Sequence, residues 1–302
     1  MPKIVALTGA TGFVGRIVLL DLLEQGYRIK ALVRPGSLDK TLQHENINWI
    51  EGRLGDLASE TALCADADIV VHMAGLVTAR AKSDYYEINA DAVGSLAQAA
   101  SAAKVERFIY LSSLAAKKPE LSDYAGSKRA GEGALARNLG DMKAVVVRAP
   151  AVFGAGDKAT APFYALIKKG WLPAPGGRGW RMRKLGLVHV DDFAAFITGA
   201  CLGGLCDGRT VSPATKANIT WPGFGLECAG AMGKRVRVFP LPLSLLYPIA
   251  AINSVTKRLF GKGHLTLGKL REFLHEDWST PDEFVSETPL QLALKKTILV
   301  GE

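Results

Sequence analysis

The sequence has few cysteines, and none of them lies in a pattern typical of a disulfide framework or a metal site. The four are Cys64, Cys201, Cys206 and Cys228, without a C-x-x-C pair and without a histidine at metal-ligand spacing. We therefore expect reduced thiols, no bound metal and a cytoplasmic location. The first strand is expected from residue 3, which leaves no room for a signal peptide.

The sequence also lacks internal repeats, a low-complexity tail and one long basic tract. Its net charge is +8, but the basic residues are scattered along the 302-residue chain. This pattern fits anionic small molecules or weak attraction to an acidic membrane at least as well as nucleic acid. We expect a small-molecule substrate, no nucleic acid, and a monomer or homodimer.

A glycine-rich turn follows the apolar run at residues 4–7. Gly9, Gly12 and Gly15 have the spacing G-x-x-G-x-x-G, and an amphipathic helical pattern begins at Val14. Such a strand–turn–helix brings bare backbone and a helix N-terminus up to a pyrophosphate, so it predicts a dinucleotide site. The cofactor-binding residues expected in this loop are Gly9, Thr11, Gly12, Phe13, Val14 and Gly15.

Strand and helix patterns alternate through the first half of the chain. Strands are predicted over Arg28–Val33, Asn48–Glu51, Ala67–His72, Arg107–Leu111 and Lys143–Arg148, and helices over Tyr85–Ala103 and Tyr124–Asn138. The alternation predicts an α/β fold, a Rossmann doubly wound parallel sheet with its ligand crevice at the strands' carboxyl ends. We expect residues 1–150, joined by 185–212, to form the dinucleotide-binding domain. Residues 151–302 should be mainly a smaller substrate-binding part.

A tyrosine and a lysine stand four residues apart in Tyr124-Ala125-Gly126-Ser127-Lys128, on one face of the predicted helix. A nearby cation favours the phenolate, so Tyr124 can exchange a proton with a substrate oxygen while hydride moves at the adjacent carbon. Ser113, at the end of the preceding strand, would polarise the same oxygen.

These motifs together resemble the extended short-chain dehydrogenases/reductases, the superfamily of NAD(P)-dependent epimerases/dehydratases and 3β-hydroxysteroid-dehydrogenase-like enzymes. The resemblance covers most of the chain. It rests on TGATGFVG at the start, GDL at 55–57, VVHMAG at 70–75, YEINADAVGSLAQAA around Asn89, SS at 112–113, YAGSK at 124–128, RAPAVFGAGD at 148–157 and LVHVDD at 187–192. It implies an NAD(P)-dependent enzyme and does not specify a substrate.

The resemblance also implies roles for individual residues. Ser113, Tyr124 and Lys128 would be catalytic, with Lys128 also on the nicotinamide ribose and Asn89 supporting the site. The other cofactor contacts it implies are Asp56 and Leu57 beside the adenine, Ala74 and Gly75 under the middle of the cofactor, and Pro150 and Val152 near the carboxamide. His72 and His189 are interpreted as structural.

The residue after the second strand indicates the cofactor. Where NAD enzymes carry an acidic residue for the ribose 2′-hydroxyl, this chain has Arg34, and Arg16 follows the glycine loop. A guanidinium suits a 2′-phosphate, so NADP(H) is expected over NAD(H).

The region after residue 150 is expected to select the substrate. Residues 238–256 form an uncharged apolar stretch, interpreted as a helix after Pro242 that is buried or lines a cleft, with Leu245 and Leu246 on the wall. A second interpretation is peripheral membrane contact through 238–262. The favoured function is an NADP-dependent oxidoreductase acting on a hydroxyl or carbonyl of an apolar small molecule. A nucleotide-sugar epimerase or dehydratase, holding a pyrophosphate with Arg178, Arg181 or Arg183, and a non-catalytic NAD(P)-binding accessory or regulatory protein remain alternatives.

Overall fold

A computed structural model describes residues 2–157, 160–204, 206–260 and 265–299. The strands are β1 (Ile4–Thr8), β2 (Arg28–Val33), β3 (Ile47–Glu51), β4 (Ile69–His72), β5 (Arg107–Ser113), β6 (Lys143–Ala149), β7 (Ala151–Phe153), β8 (Trp171–Pro175), β9 (Lys184–His189), β10 (Thr210–Val211), β11 (Lys216–Thr220), β12 (Arg237–Leu241) and β13 (Asp277–Trp278). The α-helices are α1 (Phe13–Glu24), α2 (Leu57–Cys64), α3 (Lys82–Tyr86), α4 (Ala92–Ala102), α5 (Asp123–Arg137), α6 (Ala161–Lys168), α7 (Val190–Leu202), α8 (Trp221–Met232), α9 (Leu243–Phe260), α10 (Leu267–Leu274) and α11 (Leu290–Leu299).

The chain divides into two compact units, Met1–Arg148 with Ala194–Val211, and Ala149–Phe193 with Ser212–Glu302. The first unit contains a seven-stranded sheet in the order β10-β6-β5-β4-β1-β2-β3, and its paired strands run parallel. This is the predicted doubly wound sheet, with its topological switch point between β1 and β4. Phe108, Leu96, Leu63 and Leu135 are buried in the core between this sheet and its helices.

The second unit has a four-stranded sheet in which β9 pairs with β7, β11 and β13, and a two-stranded sheet of β8 and β12. The sequence predicts residues 185–212 in the first domain, whereas of these only 194–211 lie in the first unit. The reason is that all the ladder partners of β9 belong to the second unit. A core around Trp221, Phe224 and Leu294 holds this unit together.

Local hydrogen bonds explain where elements differ from the predicted bounds. Asp66 has a left-handed backbone (φ 58°), and the next amide donates to Cys64, so β4 begins two residues later than predicted. Ser122 caps α5 by accepting from the amide of Ala125. The helix predicted over Tyr85–Ala103 begins at Lys82 and contains a π-helical segment, Glu87–Asp91.

The apolar stretch after Pro242 forms α9, as predicted, and packs on α10. Leu246, Ala250 and Leu270 are buried between these helices. The expectation that Leu246 lies on a substrate wall is therefore wrong, because its side chain is 7% exposed inside this core, whereas Leu245 is 51% exposed. Within the described ranges, none of the helices has the length and hydropathy that crossing a membrane requires.

Candidate active site

The glycine loop after β1 is closely packed. Gly9 has φ +79°, and a Cβ there would lie 2.7 Å from the amide nitrogen of Ala74. A Cβ on Gly15 would overlap the carbonyl oxygen of Gly9. Gly12 is the N-cap of α1, and because it has no side chain and the first turn carries no carboxylate, the N–H groups of that turn are available to an anion. The loop fits the predicted pyrophosphate site.

The strand register brings the predicted cofactor residues of the first unit to one edge of the sheet. Thr8, the last residue of β1, is opposite Leu32 in β2 and His72 in β4, and His72 is opposite Tyr110 in β5. Exposed Arg34 follows β2, Ala74 and Gly75 follow β4, and Ser113 ends β5. The loop residues Thr11, Phe13 and Val14 lie at the same edge, where α1 begins.

Asp56 and Leu57 begin α2 beyond the end of β3. The Asp56 carboxylate accepts from the amide and hydroxyl of Ser59, and these hydrogen bonds lower the pKa of the carboxyl. Leu57 is 69% exposed. Asp56 therefore acts as the N-cap of α2, and this capping fixes the position of the exposed Leu57 side chain next to it.

Tyr124 and Lys128 lie in the first two turns of α5. Tyr124 is half-buried, and its ring packs edge-on against that of Tyr85 with centroids 6.4 Å apart. Ser113 is half-buried at the end of β5, where its hydroxyl accepts from the amide of Ala115 and caps a 3₁₀ turn over Leu114–Lys117. Three predicted catalytic side chains thus come from β5 and from the helix that follows it.

Lys128 is buried in the first unit. Its ammonium donates to the carbonyl oxygen of Leu111 at 2.8 Å and lies 4.9 Å from the centroid of the Tyr110 ring. Burial lowers the pKa of Lys128 to about 8, and the negative charge of Glu132 opposes that shift. A Cβ on Gly75 would lie 3.2 Å from this ammonium, so glycine there leaves space directly beside it.

Glu132, to which none of the sequence motifs points, also belongs to this cluster. Its carboxylate accepts from Ser112 at 2.7 Å and from two nitrogens of Arg148 at 2.8 and 2.6 Å. These hydrogen bonds and the charge of Arg148 lower the pKa of Glu132 against the effect of burial. The only signal in the sequence is its position four residues after Lys128 on the same helix.

Asn89 connects the π-helical segment to the rest of the site. Its side-chain oxygen accepts from the amide of Leu76 at 2.8 Å, and its amide group donates to the Leu76 carbonyl and to the Ser127 hydroxyl. Its backbone carbonyl accepts from the Tyr110 hydroxyl at 3.2 Å. A Cβ on Gly131 would overlap that carbonyl, so the close approach of α5 requires glycine at this position.

The two histidines of the motifs lie in buried frameworks. His72 Nδ1 is 2.8 Å from the Thr8 hydroxyl, its ring stacks on Tyr110, and burial lowers its pKa to about 3. A histidine held neutral in this way suits the structural role that the sequence suggests. The amide of His189 donates to Thr215 at 2.7 Å in the second unit.

The remaining predicted residues belong to the second unit. Pro150 is buried, and it is the single residue of the chain between β6 and β7. Val152 in β7 pairs with Val188 in β9. Arg183 is buried and donates to the carbonyls of Pro175 and Gly176, both at 2.8 Å. Arg181 is exposed and stacks 4.6 Å from the Trp180 ring. Arg183 therefore stabilises its own loop, and the roles of Pro150 and Val152 near the carboxamide stay predictions.

The fold and the Tyr–Lys helix are those of the extended short-chain dehydrogenase/reductase class, which contains NAD(P)-dependent oxidoreductases and epimerases. Residues 5–201 match the NAD dependent epimerase/dehydratase family, and the chain belongs to this family. It is 34% identical to a ceramide reductase of Caulobacter vibrioides over 91% of this chain and 86% of that protein.

Two further similarities agree with this assignment. The chain is 27% identical to the UDP-glucose 4-epimerase of Vibrio cholerae, over 93% of this chain and 92% of that one. The solved structure of the UDP-glucose 4-epimerase of Thermotoga maritima with UDP-glucose superposes with a TM-score of 0.72 at 17% identity. That superposition covers 98% of this chain and 97% of the other. The structural likeness shows the shared fold.

Proposed function

We propose that this protein is an NADP(H)-dependent oxidoreductase that transfers hydride between the nicotinamide and a carbonyl or hydroxyl carbon of an apolar, lipid-like molecule. The observation that carries the proposal is the pairing of Tyr124 with a buried lysine on α5. Burying a cation costs free energy, and buried titratable groups with shifted pKa values are concentrated at functional sites. The buried Lys128 ammonium lies one helical turn from the Tyr124 phenol.

The first unit offers a cradle that fits a dinucleotide. The spaces that Cβ atoms on Gly9, Gly15 and Gly75 would fill lie along the carboxyl edge of the sheet, next to the N-terminus of α1 and to Lys128. The glycine loop would hold the pyrophosphate, Leu57 would contact the adenine, and Lys128 would donate to the nicotinamide ribose. When bound, the cofactor supplies or accepts the hydride.

Arg34 supports NADP(H) as the cofactor. It is exposed directly after β2, the position from which the side chain reaches the adenine ribose, and Arg16 is exposed in the first turn of α1. A guanidinium can donate two parallel hydrogen bonds to a 2′-phosphate.

The reduction would proceed by coupled proton and hydride transfer. Ser113 donates a hydrogen bond to the carbonyl oxygen, and Tyr124 gives that oxygen its phenolic proton as hydride reaches the carbonyl carbon. The carbonyl becomes an alcohol, and Tyr124 regains a proton from solvent. Lys128 stabilises the phenolate formed in between, because a nearby cation lowers the free energy of the charged form.

Two observations support an apolar substrate: the similarity to a protein named ceramide reductase, and the hydrogen bonds of Arg183. The relative named ceramide reductase covers most of both chains. Arg183 is one of three candidates for holding a sugar-nucleotide pyrophosphate. Its Nη1 group donates instead to the carbonyl oxygens of Pro175 and Gly176 in its own loop. Both observations favour a lipid over a nucleotide sugar.

A substrate comparison tests the proposal. The ketone obtained by oxidising the secondary alcohol of a ceramide and a steroid ketone are each offered with NADPH, and loss of NADPH absorbance is followed. UDP-glucose is offered in a separate reaction with NAD⁺ or NADP⁺, because epimerisation begins with oxidation of the sugar. We expect turnover of an apolar ketone with formation of the alcohol. Interconversion of UDP-glucose and UDP-galactose without net loss of cofactor would instead show an epimerase.

A further inference from the structure

The basic residues are scattered along the chain, but their excess over the acidic residues falls in one segment. Residues 228–271 contain eight lysines and arginines and no aspartate or glutamate, whereas the 29 acidic residues elsewhere are matched by an equal number of basic ones. The exposed members among the described residues are Lys234, Arg235, Arg237, Arg258 and Arg271. Because this segment carries a net positive charge and the rest of the chain is neutral overall, an anionic surface attracts this segment more strongly than the rest.

Helix α9, inside this segment, exposes an apolar face. Five large side chains on it are between 40% and 63% exposed: Leu245, Tyr247, Ile249, Ile252 and Val255. One helical stripe contains Leu245, Ile249, Ile252 and Val255, whose successive separations are four, three and three residues. Pro248 and Ala251 are also exposed and lie on the same side of α9. The exposed charged residue in the last turn of the helix is Arg258. A surface helix normally presents polar side chains there.

The opposite face of α9 is already packed. Leu246 and Ala250 are buried against Leu270 of α10. The Ser254 hydroxyl donates to the Ala250 carbonyl at 2.7 Å and accepts from the amide of Leu267 at 2.9 Å. This packing fixes the rotation of α9, so its outward apolar stripe is a property of the folded unit.

Aromatic and cationic groups lie on the strands that lead into α9. Arg237 in β12 lies 5.8 Å from the ring centroid of Trp171 in β8, and this ring is 5.9 Å from that of Phe239. Trp171 is exposed, and one residue separates β12 from α9. Tryptophan and tyrosine are enriched at membrane–water interfaces, where arginine and lysine contact lipid phosphates.

We propose that the second unit docks reversibly on the surface of an anionic lipid bilayer. The stripe of α9 enters the headgroup region, and the exposed basic residues Lys234, Arg235, Arg237, Arg258 and Arg271 contact lipid phosphates. Charge favours this occupant, because a second copy of the same surface would bring its own five exposed cations towards the first five. The helix lies in the interface, and no helix of the described ranges could span the bilayer. The proposal does not depend on the enzymatic activity.

Vesicle flotation with the purified full chain tests it. Vesicles of phosphatidylcholine alone are compared with equal mixtures of phosphatidylcholine and phosphatidylglycerol, at low and high salt. We expect the protein to float with the anionic vesicles and to be released by salt. The Ile252→Ser/Val255→Ser and Arg235→Gln/Arg258→Gln variants should each bind on the order of tenfold more weakly.

Matched variants remove equally exposed side chains elsewhere. Leu226→Ser/Leu292→Ser alters exposed leucines of α8 and α11, and Arg53→Gln/Arg137→Gln alters exposed arginines of the first unit. Both should bind like the wild type, and circular dichroism and NADPH binding confirm that each variant is folded. Absence of flotation, equal losses in the matched variants, or a wild-type dimer that the α9 variant dissociates would overturn the proposal.

Discussion

The ammonium of Lys128 donates a 2.8 Å hydrogen bond to the carbonyl oxygen of Leu111. This bond ties the second turn of α5 to β5, the strand that ends in Ser113. The helix thereby presents Tyr124, one turn earlier, at the edge of the sheet where the glycine loop lies. The lysine has both a structural and an electrostatic task, and its protonation should govern activity.

The pH dependence of activity should report the charge of Lys128. Burial lowers its pKa to about 8, so the ammonium beside Tyr124 is present below this pH and is lost as the pH rises through it. Glu132→Gln removes the anion that raises this pKa. We expect the alkaline limb of the kcat profile to move down by roughly half a unit to one unit. Arg129→Gln, which removes an exposed partner of the same carboxylate, should leave the limb in place.

Removing the phenolic proton should abolish turnover and spare cofactor binding. Tyr124→Phe is expected to lower kcat by roughly 10²–10⁴, while the Kd for NADPH from fluorescence titration changes little. Tyr85→Phe is the matched control, because its ring packs against that of Tyr124. A Tyr124→Phe enzyme with near-normal kcat would exclude this tyrosine as the acid.

The sheet and the motif-bearing ends of its strands could be predicted from the sequence, because alternation and glycine spacing are local signals. The bounds of β2 were predicted to the residue. The pairing of Glu132 with Arg148 could not be predicted, since it depends on the tertiary arrangement that brings a residue of α5 to a residue of β6. The uncharged run of 238–256 predicts a helix, but it has too few polar residues to indicate which side faces outward. That β9 belongs to the second unit could not be predicted either, because it depends on pairing with strands distant in sequence.

Close packing at the glycine loop should make Gly15→Ala damaging. Its Cβ would overlap the Gly9 carbonyl, and displacing this backbone should cost about 1–3 kcal/mol of stability and weaken NADPH binding. Gly199→Ala in α7 is the control, because a Cβ there meets nothing within 4 Å. Alanine in that helix should be neutral or stabilise by up to about 1 kcal/mol in urea denaturation. Equal stability of the two variants would contradict the packing argument.

Arg34 should set the cofactor preference. Arg34→Asp is expected to weaken NADPH binding and to improve NADH binding, because a carboxylate repels the 2′-phosphate and accepts from the 2′-hydroxyl. Titration calorimetry with both cofactors measures the change. Equal affinities of the wild-type protein for the two cofactors would show that Arg34 does not contact the ribose.

The central claim is net hydride transfer from the nicotinamide to the carbonyl carbon of an apolar substrate. The most direct test uses NADPH deuterated on the transferring face of C4, with the ketone of a ceramide as substrate and mass spectrometry of the product. We predict one deuterium on the new carbinol carbon and one NADP⁺ formed per alcohol. A ketone left unchanged, alongside UDP-glucose converted to its epimer in a parallel reaction with the oxidised cofactor, would contradict the account.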